Sequence, residues 1–230
     1  MKLATWNINE CVGITCDLNN QKTADTININ NINEIIDKIN TYDFDVICFQ
    51  EYPTYINDKI SLTNKILKET NLKYYAEKDT YDSYLFKGGR VGVSIFSKYE
   101  IVDTQYTLFG NPHMTKINSK GVKYESFDKT EFDYPESYKP LEVIINDSKN
   151  DNLVIMGDFN TEKLYDIIPK INGIVKDTIV GPTTKDYYEK RGEVHMDYIM
   201  INQNVKCTNN YKIDNFSDHY IMCSEVFINK

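Results

Sequence analysis

The chain has 230 residues, with 34 Asp and Glu against 26 Lys and Arg and a formal net charge of -8. That length supports one sizeable core, read here as one domain over residues 1–230, and the acidic balance argues against a protein that grips nucleic acid by bulk charge, because phosphate contacts draw on clustered Lys and Arg. The N-terminus lacks the apolar core of a signal peptide, no run approaches bilayer-spanning length, and five cysteines without paired spacing argue against a zinc site or disulfide framework, so a cytoplasmic protein without a membrane span is expected.

In chain order, the opening apolar run predicts a strand over 2–8. Ile32, Ile35, Ile36 and Ile39 fall at i, i+3, i+4 and i+7 and predict a helix over about 30–40. A strand follows at 46–50, then a helix over about 58–70 capped by Ser61 or Asn57, with Leu62, Ile66 and Leu67 on its core face. Strands are expected at 73–77, 91–97 and 101–108. The stretch from Asn111 to Pro140 is polar and rich in turns, and Leu141 to Ile145 reads equally as helix or strand. A strand at 153–157, a short helix near 163–168, and strands at 195–201 and 219–227 complete the order. Strands alternating with helices give a mixed α/β domain.

Several apolar runs end in a polar residue. In α/β folds ligands bind where strand ends converge, so the residue just past each run faces a crevice. Those residues are Asn7, Glu51, Asp158 with Asn160, and Asp218 with His219. Asp197 is different, because it interrupts the apolar stretch Met196 to Ile201 and so places a carboxylate in a mostly buried segment. A buried carboxylate needs a partner, and a histidine is the obvious candidate.

The same residues, in order, carry a resemblance. Ala4-Thr5-Trp6-Asn7-Ile8-Asn9, Asp45-Val46-Ile47-Cys48-Phe49-Gln50-Glu51, Val91-Gly92-Val93-Ser94-Ile95-Phe96-Ser97-Lys98, Ile155-Met156-Gly157-Asp158-Phe159-Asn160, His195-Met196-Asp197-Tyr198-Ile199 and Ser217-Asp218-His219 resemble the motifs of the endonuclease/exonuclease/phosphatase superfamily. This superfamily includes DNase I, the exonuclease III type apurinic endonucleases, the neutral sphingomyelinases and the inositol polyphosphate 5-phosphatases. The resemblance implies two packed mixed β-sheets flanked by helices, a DNase I-like four-layer sandwich with a shortened central segment. It also implies a magnesium-dependent phosphodiester hydrolase, an endonuclease or exonuclease acting on DNA or RNA, with Mn2+ as a substitute metal and no obligate protein partner. A small-molecule or lipid phosphoesterase of the same fold is the alternative, and a binding domain that has lost turnover is another.

By the same resemblance, Glu51 is the principal metal ligand, with Asn7 beside the metal or the phosphate and Asp218 as a second ligand or water-holder; magnesium prefers such oxygen donors. Asp158 would orient or deprotonate the attacking water, and Asn160 would hydrogen-bond the scissile phosphate. Asp197 would fix the tautomer of His219, which then donates to a phosphate oxygen as charge builds. Relatives carry a further histidine on a strand in the middle of the chain. His113 is either its counterpart or part of an Asn111-Pro112 turn. His195 has no assigned role. Tyr81, Tyr84, Lys87 and Arg90 either read a polymer or form a solvated loop.

Overall fold

Alternation along the strands decides which residues meet, because successive side chains point to opposite faces. The computed structural model describes residues 1–12, 29–55, 61–83, 89–107, 114–117, 123–126, 138–185 and 192–228. The elements are β1 (Lys2–Asn7), α1 (Ile29–Tyr42), β2 (Val46–Tyr55), α2 (Leu62–Glu69), β3 (Tyr74–Asp82), β4 (Arg90–Ser97), β5 (Met114–Ile117), β6 (Lys123–Ser126) and α3 (Lys139–Asp147). They continue with β7 (Val154–Asp158), α4 (Leu164–Ile167), β8 (Val175–Asp177), β9 (Asp197–Asn202), β10 (Val205–Ile213) and β11 (Ile221–Ile228).

A six-stranded sheet runs β10-β11-β1-β2-β4-β3, a three-stranded sheet runs β7-β9-β8, and β5 pairs with β6 in a separate hairpin. In the large sheet only β1 and β2 are parallel, with Asn7 opposite Gln50. One face of this sheet sends Ala4, Trp6, Ile47, Phe49 and Ile221 into a core shared with Ile32, Ile35, Ile36 and Ile39 of α1 and Ile66 of α2. The outer face of the small sheet packs Tyr198 and Met200 against Leu141 and Ile145 of α3 and Leu164 of α4. Between the sheets, Leu3 and Val226 meet Ile201, Val154 and Met156, and Met222 meets Ile179 and Ile199. The result is a helix, sheet, sheet, helix sandwich, the four layers that the resemblance implies. Among the described residues no helix is long and apolar enough to cross a membrane.

Local chemistry explains the helix starts. Ser61 accepts the Asn64 amide at 3.1 Å and caps α2. Pro140 sits in the first turn of α3, where its missing N–H costs nothing, so Leu141 to Ile145 is helix.

Several expectations are corrected. Residues 101–107 form no strand, and Val102 is 91% exposed. The sequence there does not alternate, and the segment is attached to β3 through side chains: Tyr106 Oη donates to the Glu77 carbonyl at 3.2 Å and lies under Lys78. The strand expected at 219–227 begins only at Ile221, which leaves Asp218 and His219 in the preceding turn. Strands β5, β6, β8 and β10 were not expected. β10 is an edge strand whose middle is exposed, so Val205–Ile213 shows no clean apolar alternation. His113, Tyr84 and Lys87 lie outside the described residues.

Candidate active site

Leu3, Thr5 and Asn7 share one face of β1, and Leu3 lies between the sheets, so the buried Asn7 ends that face at the crevice. On β2, Phe49 and Tyr52 both enter the helix-side core, which strict alternation forbids. The pairing with β4 shifts register between them, and Glu51 adopts φ 48°. This bulge absorbs one residue and turns Glu51 away from the apolar core beside Asn7.

The small sheet contributes a facing pair. Asp158 and Asp197 are opposed in the antiparallel ladder, at the last position of β7 and the first of β9, and opposed residues lie on the same face. Two neighbouring buried carboxylates demand donors. Asp158 receives the Asn7 amide Nδ2 at 3.0 Å and the Asn160 backbone N–H at 2.8 Å. Asp197 receives His219 Nδ1, 2.8 Å from its Oδ2, while its fully buried Oδ1 has no hydrogen-bond partner among the described residues. The other ring nitrogen, Nε2, lies 3.9 Å from Asp158 Oδ2. The imidazole therefore stands between two aspartates.

Electrostatics follow from this crowding. Burial pushes Glu51 up to about 7, helped by the negative charges of Asp218 and Asp158 and opposed by His219 and a hydrogen bond from Asn7. Burial likewise raises Asp158 to about 6, with His219 opposing and Asp197 adding. For His219, burial alone would lower the pKa, but Asp197 and Asp158 outweigh it and hold the ring well above the usual histidine value.

Two further residues hold the site together. Ser217 Oγ donates to the Asn7 carbonyl at 2.8 Å and lies 3.1 Å from Asp218 Oδ1, so it ties the end of β1 to the turn that carries Asp218 and His219. Thr183 Oγ1 accepts the backbone amides of Met196 and Asp197 at 2.9 and 3.0 Å. Ser217 stands in the quoted triplet without an expected role, and Thr183 stands in an ordinary loop sequence that carries no signal. Asn160 is exposed at φ 55°, at the mouth of the crevice.

Asn7, Glu51 and Asp158 on β1, β2 and β7, with Asp218 in the turn before β11, carry oxygen donors, and Asp218 and Asp158 both act electrostatically on Glu51. Asp158, Asp197 and His219 also bring ligand atoms within 4.8 Å of one another. In that second group His219 Nδ1 and Asp197 Oδ2 are already bonded to each other, so a cation there would have to separate them. Glu51 in the oxygen set is raised first by burial and then by the negative charges of Asp218 and Asp158. The oxygen set fits a hard divalent cation.

A sequence model of the Endonuclease/Exonuclease/phosphatase family matches residues 4–219. No curated protein sequence matches the chain. Among solved structures, an endonuclease/exonuclease/phosphatase family protein from Leptotrichia buccalis is similar at TM-score 0.67 and 20% identity, covering 99% of this chain and 100% of its own. The mannosyl-6-phosphatase of Bacteroides thetaiotaomicron follows at TM-score 0.61 and 15% identity, over 99% and 100% of the two chains. The catalytic domain of human Nocturnin with bound sulfate gives TM-score 0.65 and 14% identity, over 100% and 93%.

Proposed function

The chain belongs to the endonuclease/exonuclease/phosphatase family, and from that premise we propose that it is a magnesium-dependent phosphodiester hydrolase with nucleic acid as its first candidate substrate. The observation that carries this reading is the imidazole of His219, bonded through Nδ1 to the buried Asp197 and presenting Nε2 beside Asp158. Glu51 and Asp218, with Asn7 adjacent, would hold the cation. When bound, Mg2+, or Mn2+ in its place, would supply neutralising charge for the phosphate oxygens and ease deprotonation of the attacking water.

The chain's own groups do the rest. Asp158, raised to about 6, is a stronger base than an ordinary aspartate yet mostly ionised at neutral pH, so it orients the attacking water and takes its proton as the new P–O bond forms. His219 is a cation whose Nε2–H donates to a phosphate oxygen as negative charge builds there. Asp197 accepts from Nδ1–H and its negative charge keeps the ring cationic, so Nε2 carries a proton as well, and Asn160 meets the phosphate at the mouth. Asn7, which donates to Asp158 and favours the charged form of Glu51, keeps the metal-side and water-side carboxylates in register.

A small phosphoester is the second reading. It is favoured by the net charge of -8 and by Arg90, whose guanidinium is already engaged by Asp79 and Asp82 and so is not free to grip a polymer. The mannosyl-6-phosphatase among the structural neighbours makes a sugar phosphate the natural member of that class to include. The retained Glu51, Asp158, Asn160, Asp197 and His219 argue against a binding domain without turnover, because a decayed site would lose some of them.

The test is a hydrolysis panel of duplex DNA, abasic DNA, RNA, bis-p-nitrophenyl phosphate, sphingomyelin and mannose 6-phosphate, with Mg2+ and with excess chelator. Mg2+-dependent cleavage of a nucleic acid supports the first reading. Cleavage of the small esters alone moves the assignment to the second, and full activity in chelator sinks the metal.

A further inference from the structure

A second histidine lies close behind the first pair. His195 precedes Asp197 by two residues, and both of its ring nitrogens face acceptors: Nδ1 is 2.7 Å from the Gly181 carbonyl and Nε2 is 2.9 Å from Asp177 Oδ2. A carbonyl oxygen has no proton to give, so Nδ1 carries one. The other oxygen of Asp177 already accepts the amides of Ile179 at 3.1 Å and Ile199 at 3.2 Å, so the carboxylate serves as acceptor on both oxygens and Nε2 carries a proton as well. The ring sits edge-on to Tyr198, with centroids 4.6 Å apart. Its charged surroundings are Asp177 and Asp197, with the Tyr198 hydroxyl beyond.

What His195 holds is the segment that leads to the site. Gly181 turns the chain at φ 85°, a conformation glycine adopts without strain. Two residues on, Thr183 Oγ1 takes the amides of Met196 and Asp197, its carbonyl takes the Tyr220 amide at 2.8 Å, and the Lys185 amide donates to the Asp218 carbonyl at 2.7 Å. One short segment thus grips the backbone on both sides of the Asp197–His219 pair.

We propose that His195 is a positioning residue: as an imidazolium clamped between Asp177 and the Gly181 carbonyl, it fixes the turn that presents Thr183 to Asp197 and so sets the aim of Asp197 at His219. The catalytic half of this inference rests on the phosphoesterase reading above; the structural half does not.

The experiment uses the full chain. Ring nitrogen–proton correlation spectra at neutral pH are expected to show His195 protonated at both nitrogens. His195→Gln, whose N–H donors both sit on one nitrogen and so do not span the two acceptors, is expected to lower kcat about tenfold with KM unchanged, the signature of a misaimed group. It is also expected to shift the His219 Nδ1 proton resonance. His195→Arg, which keeps the charge and two donor edges, restores kcat to within about threefold of the native protein. Asp177→Asn is the substitute should His195→Gln not fold, with the same expected displacement of the His219 resonance. A neutral His195, or a His219 resonance unmoved in the variants, overturns the proposal. If no form hydrolyses any substrate, the phosphoesterase reading fails, and the two resonances still decide the positioning role.

Discussion

Asp197 Oδ2 and His219 Nδ1 lie 2.8 Å apart and join the small sheet, through the first residue of β9, to the turn that enters β11 of the large sheet. The contact belongs to both the fold and the chemistry. Removing the imidazole strands a buried carboxylate whose Oδ1 has no hydrogen-bond partner among the described residues.

His219→Ala is therefore expected to destabilise the protein by about 3 kcal/mol, as breaking one side of a buried pair does. Asp197→Ala should cost less, because the histidine left behind can lose its proton. In turnover, each single change should lose about a thousandfold and the double change little more than the worse single one, as for groups acting as a unit. Denaturant melts and kcat for the four-member cycle check this, and additive losses would show independent roles.

Glu51→Gln is expected to abolish Mg2+-dependent turnover yet stabilise the metal-free protein. The sign follows from linkage. Glu51 is raised to about 7 in the fold from an ordinary 4.5, so between those values the folded state binds more protons and stability falls as pH rises. Above pH 7 the native protein carries the full penalty, and the neutral amide removes about 2 kcal/mol of it. Thermal melts in chelator should show the variant ahead at pH 8 and level with the native protein near pH 4.5. A variant no more stable at pH 8 would mean that Glu51 is not held in this crowded site.

Proton and metal compete for the same carboxylate. Below about 7 the apparent Mg2+ affinity should fall by up to tenfold per pH unit, and binding at pH 6.5 should release protons. Calorimetry in two buffers of different ionisation enthalpy measures that release directly. An affinity flat from pH 6 to pH 8 would place the metal elsewhere.

Gly92 offers a test of the sheet alone. A Cβ there would stand 1.9 Å from the Lys78 carbonyl oxygen across the β3–β4 ladder, which shifts register just beyond Asp79. The obstacle is backbone and cannot swing away, so Gly92→Ala should cost about 3 kcal/mol by forcing strands apart. A melt within about 0.5 kcal/mol of the native protein would show that β3 is free to yield.

The helices and most strands were legible because their signals are local. Ile32, Ile35, Ile36 and Ile39 repeat with the helical period and are all buried, and the apolar runs before Asn7, Gln50 and Asp158 are strands for the same kind of reason. The polar residues that close those runs could be named as a site from that pattern and the family resemblance. Of their partners, only the Asp197–His219 pair could be named in advance. That Asp158 stands opposite Asp197 depends on register between strands separated by a long stretch of chain, and Glu51 reaches the crevice only because a bulge breaks the alternation of β2. The edge strand β10, the clamp of His195 on Gly181 and the grip of Thr183 on Asp197 have no local pattern, since each is made by chain that meets only when sheets pair and stack. Short-range periodicity set which segments are buried and where they end; long-range hydrogen-bond register and packing, which no window of sequence contains, set which charges face one another.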